Sequence, residues 1–454
     1  MRINLTDNNI GSNENVIYRR EEVSELFPLA NKDIEQLCKE NNNLLILPKL
    51  LKDSEDKIKE DIVFTLDSMD QSEKVRITTG NIVGFFGVKD LKVKIQSRFD
   101  KDRDDYFLHY MLEKVLSLNL FDLNHHRDDE SIFDFLLYMF PHFLKSALRQ
   151  GLYREYQKQE HNDARVKGNI NVNQFIRKDI PFCGRVAYTV RNYSCDNTMT
   201  ELIRHTIEHI KTRHNGSDIL TMDTDTIKNI RSVIEMTPAY DRNTRSKVIQ
   251  QNLRPKVHPY YTEYQPLRTL CLQILRMEEM KYGSNDNEIY GILFDASWLW
   301  EEYLFKAILK DCGFTHPRNK DHKNGIYLFH HPSAYIRFPD YLKPNFILDA
   351  KYKRLEKNGI DRNDMHQIIS YIHVENAEMG GFIHPVESDQ EKASVYCIGE
   401  LRGQGGRIYR ISLPIPQRCK SYKEFSSRMA TIEESLRKCI PSQELHHEQI
   451  SKEA

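Results

Sequence analysis

Pro339-Asp340-Tyr341-Leu342-Lys343-Pro344-Asn345-Phe346-Ile347-Leu348-Asp349-Ala350-Lys351-Tyr352, followed by Gln367 and Tyr371, is the stretch on which the reading of this chain turns. Phe346 to Tyr352 reads as a strand, apolar on its N-terminal side and rich in bulky residues. Side chains two apart on a strand share a face, so Asp349 and Lys351 project together. Tyr335 to Asp340 reads as a preceding strand, with Lys343-Pro344-Asn345 as the turn between the two. Pairing of those strands would bring Asp340 near Asp349. Two acids can hold a hard divalent cation, and a lysine beside them can orient a nucleophile or stabilise developing charge. That is the donor set of metal-assisted phosphodiester hydrolysis. An isolated Asp-x-Lys is weak evidence, because surface strands often carry such a pair solvated.

The surroundings make it stronger. Asp364 to Ile372 reads as a helix with Gln367 and Tyr371 one turn apart on one face. Leu299 to Phe305 reads as a helix able to supply a further acid, Glu301 or Glu302. Strand-like runs follow at Ala393–Ile398 and Gly406–Ile411. Helix, hairpin, helix and strands in this order form an α/β unit. The order resembles the PD-(D/E)XK nuclease superfamily.

Further blocks narrow the resemblance. Gly80-Asn81-Ile82-Val83-Gly84, Leu91 to Phe99 and Tyr106 to Leu112 are similar to the N-terminal blocks of the McrC family, nuclease subunits of the McrBC 5-methylcytosine-directed restriction systems. Gly151 to Tyr156, Arg165 to Ile170, Asp196-Asn197-Thr198 and His258-Pro259-Tyr260-Tyr261 continue the family's order, so the resemblance runs from about Ile77 to Tyr371. Gln96-Ser97-Arg98 departs from it, standing where the family commonly has a Pro-Lys pair.

The resemblance implies a Mg²⁺-dependent DNA endonuclease, with Mn²⁺ as a substitute ion. Asp340, Asp349 and the Ala350 carbonyl would bind the metal, and Lys351 would position or help deprotonate the attacking water. Glu301 would complete the shell, ahead of Glu302, because family members place an aromatic directly before the acid, as Trp300 does here. Gln367 and Tyr371 would orient the lysine or contact the DNA backbone. The implied partners are double-stranded, modified DNA and a McrB-like AAA+ GTPase hexamer, docked by the N-terminal region and stimulated by it. One such centre cuts one strand, so double-strand cleavage would need a second copy. Two alternatives stay open: a non-catalytic assembly subunit that stimulates the GTPase, and a repair nuclease sharing the core. The complete Asp340, Asp349 and Lys351 set argues against the first, and the N-terminal blocks against the second.

Composition bounds the rest. The chain has 454 residues, enough for several domains, and 65 basic against 66 acidic side chains. A nuclease that binds DNA unaided usually carries a basic excess, since phosphate neutralisation supplies most non-specific affinity. The balance here suggests that DNA is delivered or held by a partner. Local basic runs occur at Arg242–Lys247 and at Lys351–Arg354 with Lys357. The eight cysteines are scattered without a Cys-x-x-Cys pair, so neither a zinc ribbon nor a disulfide framework is indicated. His125-His126 and His330-His331 are adjacent pairs, which on a strand would point to opposite faces and so make poor chelates. Gly80 to Asp90 lacks the Gly-Lys-Ser/Thr ending of a phosphate loop and reads as a β-hairpin, so no nucleotide is expected on this chain. No apolar leader or long apolar run is visible, and a prokaryotic cytoplasmic location with no membrane partner is expected.

The organisation expected is an α+β N-terminal domain (1–125), a mostly helical middle region (126–284) and a C-terminal α/β PD-(D/E)XK nuclease domain with a central mixed sheet (285–440). A polar tail (441–454) follows. In the first, a helix is expected near Glu21–Cys38, with strands at Ile62–Leu66, Val75–Thr79, Ile82–Val88 and Lys92–Gln96. Lys281 to Asn287 reads as the linker into the nuclease domain.

Overall fold

A computed structural model describes residues 1–9, 16–40, 44–47, 62–69, 73–88, 91–100, 105–116, 131–213, 216–254, 258–281, 289–317, 325–329, 331, 334–355, 359–403 and 405–440. The chain forms two compact units, residues 1–131 together with 283–454, and residues 132–282. Most of the expected linker, the tail after residue 440, the pair at 125–126, His330 and Lys357 lie outside the described residues.

The first unit begins with β1 (Arg2–Thr6), β2 (Ile17–Arg19), α1 (Ile34–Glu40), β3 (Leu44–Leu47), β4 (Phe64–Ser68), β5 (Lys74–Thr79), β6 (Ile82–Val88), β7 (Leu91–Gln96) and α2 (Tyr106–Leu116). Strand β7 buries Leu91, Val93 and Ile95 and leaves Lys92, Lys94 and Gln96 half-buried, the period-two pattern of a sheet with one covered face. Strand β6 is buried along its whole length, which is why it reads as a continuous apolar run. The helix expected over Glu21–Cys38 is confined to α1, after a short 3-10 turn at Ser24–Leu26.

The second unit is mostly helical: α3 (Ser131–Leu148), α4 (Val172–Lys178), α5 (Thr198–Lys211), α6 (Gly216–Leu220), α7 (Thr224–Glu235), α8 (Arg245–Asn252) and α9 (Tyr264–Lys281). Helix α5 starts at a capping box formed by Asn197 and Thr200 and buries Leu202, Ile203, Ile207 and Ile210. This unit also contains an antiparallel sheet that sequence periodicity does not suggest, ordered β8 (Glu155–Asp163), β10 (Val186–Ser194), β9 (Asn169–Ile170). Strand β8 is polar and unburied on both faces, so it carries no apolar alternation to read.

The first unit resumes with β11 (Ile289–Asp295), α10 (Ala296–Leu304), β12 (Ile326–Phe329), β13 (Ala334–Arg337), β14 (Tyr341–Lys343), β15 (Phe346–Ala350), α11 (Arg362–Glu375), β16 (Met379–Glu387), β17 (Ser394–Glu400), β18 (Arg407–Ile415) and α12 (Tyr422–Cys439). Strand β11 does not belong to the C-terminal sheet. It lies between β6 and β3 in a sheet ordered β1-β7-β6-β11-β3, which joins the N-terminal residues and the residues after 283 in one compact unit. The second large sheet is mixed, ordered β14-β15-β16-β18-β17, with parallel pairs in the middle and an antiparallel pair at each edge. Helix α11 covers it with Ile368, Tyr371 and Ile372 against Ile347, Phe382 and Ile408.

The hairpin is shifted from the expected one. Tyr335 belongs to β13, which pairs with β12, and the arm facing β15 is β14. Phe338 and Pro339 interrupt the strand between them, and proline has no N–H for a ladder. The turn falls where expected, with Lys343 paired to Phe346 and Asn345 in the left-handed region at φ 63°. Among the described residues the cysteines are free thiols, and no helix is long and apolar enough to cross a membrane.

Two glycines let β11 approach β6. Gly291 has φ +151°, and a Cβ there would lie 2.3 Å from the Phe85 carbonyl oxygen and 2.5 Å from Phe86 Cα. Gly84 has φ +131° and would meet the Ile292 oxygen at 2.3 Å. Gly291→Ala is therefore expected to destabilise the first unit by about 3 kcal/mol or more in urea unfolding. Gly313→Ala, at φ +81° with nothing within 4 Å of the added carbon, should cost only about 1 kcal/mol of local strain.

Candidate active site

The register of the β14–β15 hairpin places the candidate residues. Tyr341 pairs with Leu348, so the next position outward sets Asp340 opposite Asp349. The Asp340 carboxylate accepts a hydrogen bond from the Ala350 amide at 2.7 Å, and its backbone carbonyl accepts one from His316 Nδ1 at 2.6 Å. The Nε2 of His316 lies 3.8 Å from Glu302 Oε1. Asp349 is 2% exposed, and its Oδ2 sits 2.6 Å from Lys351 Nζ. The same ammonium lies 3.1 Å from Asp364 Oδ1, while Asp364 Oδ2 takes Lys353 at 3.1 Å. Lys351 is thus held between an acid on its own strand and one in the first turn of α11.

Helix α10 supplies the third acid. Asp295 caps it by accepting from the amides of Ser297 and Trp298, and the Glu301 carbonyl accepts from Tyr341 Oη at 2.8 Å. Of the two adjacent glutamates, Glu301 lies in the field of Asp340, Asp349 and Lys351, whereas Glu302 faces Lys306 and His316.

The electrostatics follow from crowding acids out of water. Burial, and then the charge of Asp349, push the Asp340 carboxyl up to about 8 against the pull of the Ala350 amide and Lys351. Burial also raises Asp349, with Lys351 opposing. Glu301 is raised well above the usual carboxylate range by burial and by Asp340, Asp295 and Asp349. Burial works against the Lys351 ammonium, but Asp349, with Asp340 and Asp364, outweighs it and lifts the lysine above its ordinary value. Acids held this high are short of positive charge. Among the described residues no three His, Cys, Asp or Glu side chains converge closely enough to hold an ion by themselves. Two carboxylates with a backbone oxygen remain a fitting hard donor set for Mg²⁺, which keeps several waters.

Gln367 and Tyr371 are less central than expected. Gln367 is exposed and donates to Tyr371 Oη at 3.1 Å, and Tyr371 is buried against the sheet near the acids. The acids that contact the lysine are Asp349 and Asp364. Asp364 lies one helical turn before Gln367 and Ile368 on the stripe that leads to Tyr371, a spacing that does not by itself point to a lysine on another element.

The fold and this centre define a mixed α/β protein with an acid–lysine cluster at the carboxyl end of a sheet strand. A family model described as McrBC 5-methylcytosine restriction system component matches residues 77–385, and the chain belongs to that family. No curated protein sequence matches the chain. Among solved structures, a refined half-complex from a tetradecameric assembly of Thermococcus gammatolerans McrB AAA+ hexamers with bound McrC shares 15% identity and a TM-score of 0.49 over 97% of this chain and 100% of that one. A cryo-EM structure of the Thermococcus gammatolerans McrBC complex shares 15% identity and a TM-score of 0.31 over 68% of this chain and 88% of that one.

Burial and the neighbouring Asp349 push the Asp340 carboxyl up to about 8, against an ordinary value of 3.8. A raised acid contributes stability that is complete below its unfolded value and is lost as pH rises through its folded value. The protein should therefore lose thermal stability as pH rises from about 4, the ordinary carboxylate value, to about 8, and level off above that. Asp340→Asn should flatten that decline, and carboxyl ¹³C titration of Asp349→Ala should show the Asp340 midpoint moved down.

Proposed function

We propose that this chain is the DNA-cleaving, McrC-type subunit of a GTP-dependent restriction system, hydrolysing phosphodiester bonds with Mg²⁺. The observation that carries the reading is the placing of Asp340 opposite Asp349 with Lys351 at the end of β15, in whose field Glu301 lies. Asp340 and Asp349 would hold the ion, the Ala350 carbonyl is the candidate backbone ligand, and Glu301 approaches from α10. When bound, the ion activates water and neutralises charge on the scissile phosphate. Lys351 is kept charged by Asp349 and Asp364, so its part is electrostatic: it orients the nucleophile and stabilises developing charge, and does not act as the base. The PD-(D/E)XK assignment rests on the same juxtaposition within a mixed sheet.

The partner reading follows the relatives. The solved assembly joins McrC to McrB AAA+ hexamers, and this chain's near-neutral charge fits a nuclease that receives DNA from a motor ring. The segment that superficially suggests a phosphate loop contains strand β6, leaving nucleotide hydrolysis to the partner. Modified double-stranded DNA is the substrate proposed, with a second copy cutting the other strand. A silent assembly subunit would have no use for a buried acid cluster that keeps its lysine, because burying unneutralised acids is costly.

The test is cleavage of methylated and unmethylated plasmid with Mg²⁺, with and without the partner GTPase and GTP. Cleavage should need partner and GTP, and Asp349→Ala should lower it by on the order of a thousandfold, the scale of losing one preorganised electrostatic contact. Equal cutting by the variant would overturn the site assignment, and robust cutting by the lone chain would overturn the motor dependence.

A further inference from the structure

Lys351 is followed at once by a contact that neither the family's motif nor the chemistry above explains. The turn Ser97–Phe99, directly after β7, grips Tyr352 at three points. Arg98 donates to the Tyr352 carbonyl, its guanidinium carbon stands 4.8 Å from the centre of the Tyr352 ring, and Ser97 Oγ is 2.7 Å from Tyr352 Oη. Arg354 closes the clasp from the other side, donating to the Arg98 carbonyl at 2.6 Å and to Glu387 at 2.8 Å. The residues on either side of Tyr352, Lys351 and Lys353, face Asp364.

Arg98 is itself anchored in the N-terminal sheet. Its amide donates to Asp7 Oδ1 at 2.6 Å, its Nε lies 3.5 Å from Asp7 Oδ2, and it donates to Asn81 Oδ1 at 3.0 Å. Asp7, at the end of β1, is fully buried, as are Ser97, Phe99 and Asp105. A guanidinium can serve Asp7, Asn81 and the Tyr352 carbonyl together because its donors are spread over a rigid planar fork, which an ammonium lacks. On the catalytic side, the Lys351 amide bonds to Ile383 at 2.9 Å, so the backbone leaving β15 is fixed by β16 before the lysine side chain and by Arg98 after it.

We infer that Arg98 is a positioning residue for Lys351, holding the catalytic lysine's backbone to the N-terminal sheet. The nuclease centre is then incomplete without the N-terminal part of the unit, and any partner that strains the β1–β7 edge would reach the lysine through this clasp. The inference rests on the nuclease reading for its kinetic consequence but not for its structural one.

The test compares full-length wild type and Arg98→Lys, which keeps a cation against Asp7 and loses the fork. Hydrogen exchange measured by mass spectrometry should show residues 350–354 exchanging about tenfold faster in the variant, with β16 unchanged. In the cleavage assay with the partner GTPase, kcat should fall about 10- to 100-fold while KM for DNA stays within about twofold, the signature of a displaced reacting group. Tyr352→Phe, which removes only the bond to Ser97 and spares the fold, should move both readouts the same way by about threefold. Unchanged exchange over 350–354 in folded Arg98→Lys would overturn the proposal. So would a fall in kcat/KM carried by KM alone, which would make Arg98 a DNA contact. A wild-type chain that cuts nothing would sink the nuclease reading instead, and exchange would still decide whether Arg98 holds the segment.

Discussion

Placing the half-buried Asp340 opposite the buried Asp349 is the constraint to which the rest of this structure responds. Two carboxylates in a buried hairpin repel each other and lose hydration, so neither is comfortable as an anion. The fold offsets this with local donors: the Ala350 amide on Asp340, the Lys351 ammonium on Asp349, and Asp364 to hold that ammonium in place. What remains is an unmet demand for positive charge, sharpened by Glu301. A stable protein gains nothing from such an arrangement by itself. It fits the proposal of a site whose carboxylates would be completed by a cation and whose lysine would face a phosphate.

Holding that geometry requires rigid surroundings. Phe346, Ile347 and Leu348 are fully buried between neighbouring strands and helices, so the strand cannot slip without exposing its apolar residues. Tyr341 anchors the Glu301 carbonyl and His316 the Asp340 carbonyl, so helix α10 and the hairpin are fastened to each other by backbone acceptors. Glu302, excluded from the acid cluster, braces His316 instead. Neighbouring glutamates on one helix thereby take different tasks, set by the 100° or so between successive side chains.

Much of the C-terminal sheet was legible in the sequence. Strong apolar runs at β15 and β18, the Pro344-Asn345 turn and the amphipathic stripe of α11 follow from local pattern, and these bring Asp340, Asp349 and Lys351 together. The arm facing β15 was displaced by a few residues, because Pro339 ends one strand and the short β14 has too few residues to announce itself. The polar strands β8 and β10 left no hydrophobic signature. Asp364 was visible as a helical acid, but nothing in its spacing says that a lysine on another element would turn toward it.

The sequence by itself determined the acids, the lysine, their spacing along a hairpin and the membership in a restriction family, since these depend on neighbours in the chain. Tertiary structure alone decided that β11 would complete the N-terminal sheet, that Glu301 rather than Glu302 would face the acids, and that Arg98 would clasp Tyr352. Each of those contacts joins residues far apart in sequence. Local propensity carries no information about them; they are selected by which long-range packing buries apolar surface while pairing most buried donors and acceptors.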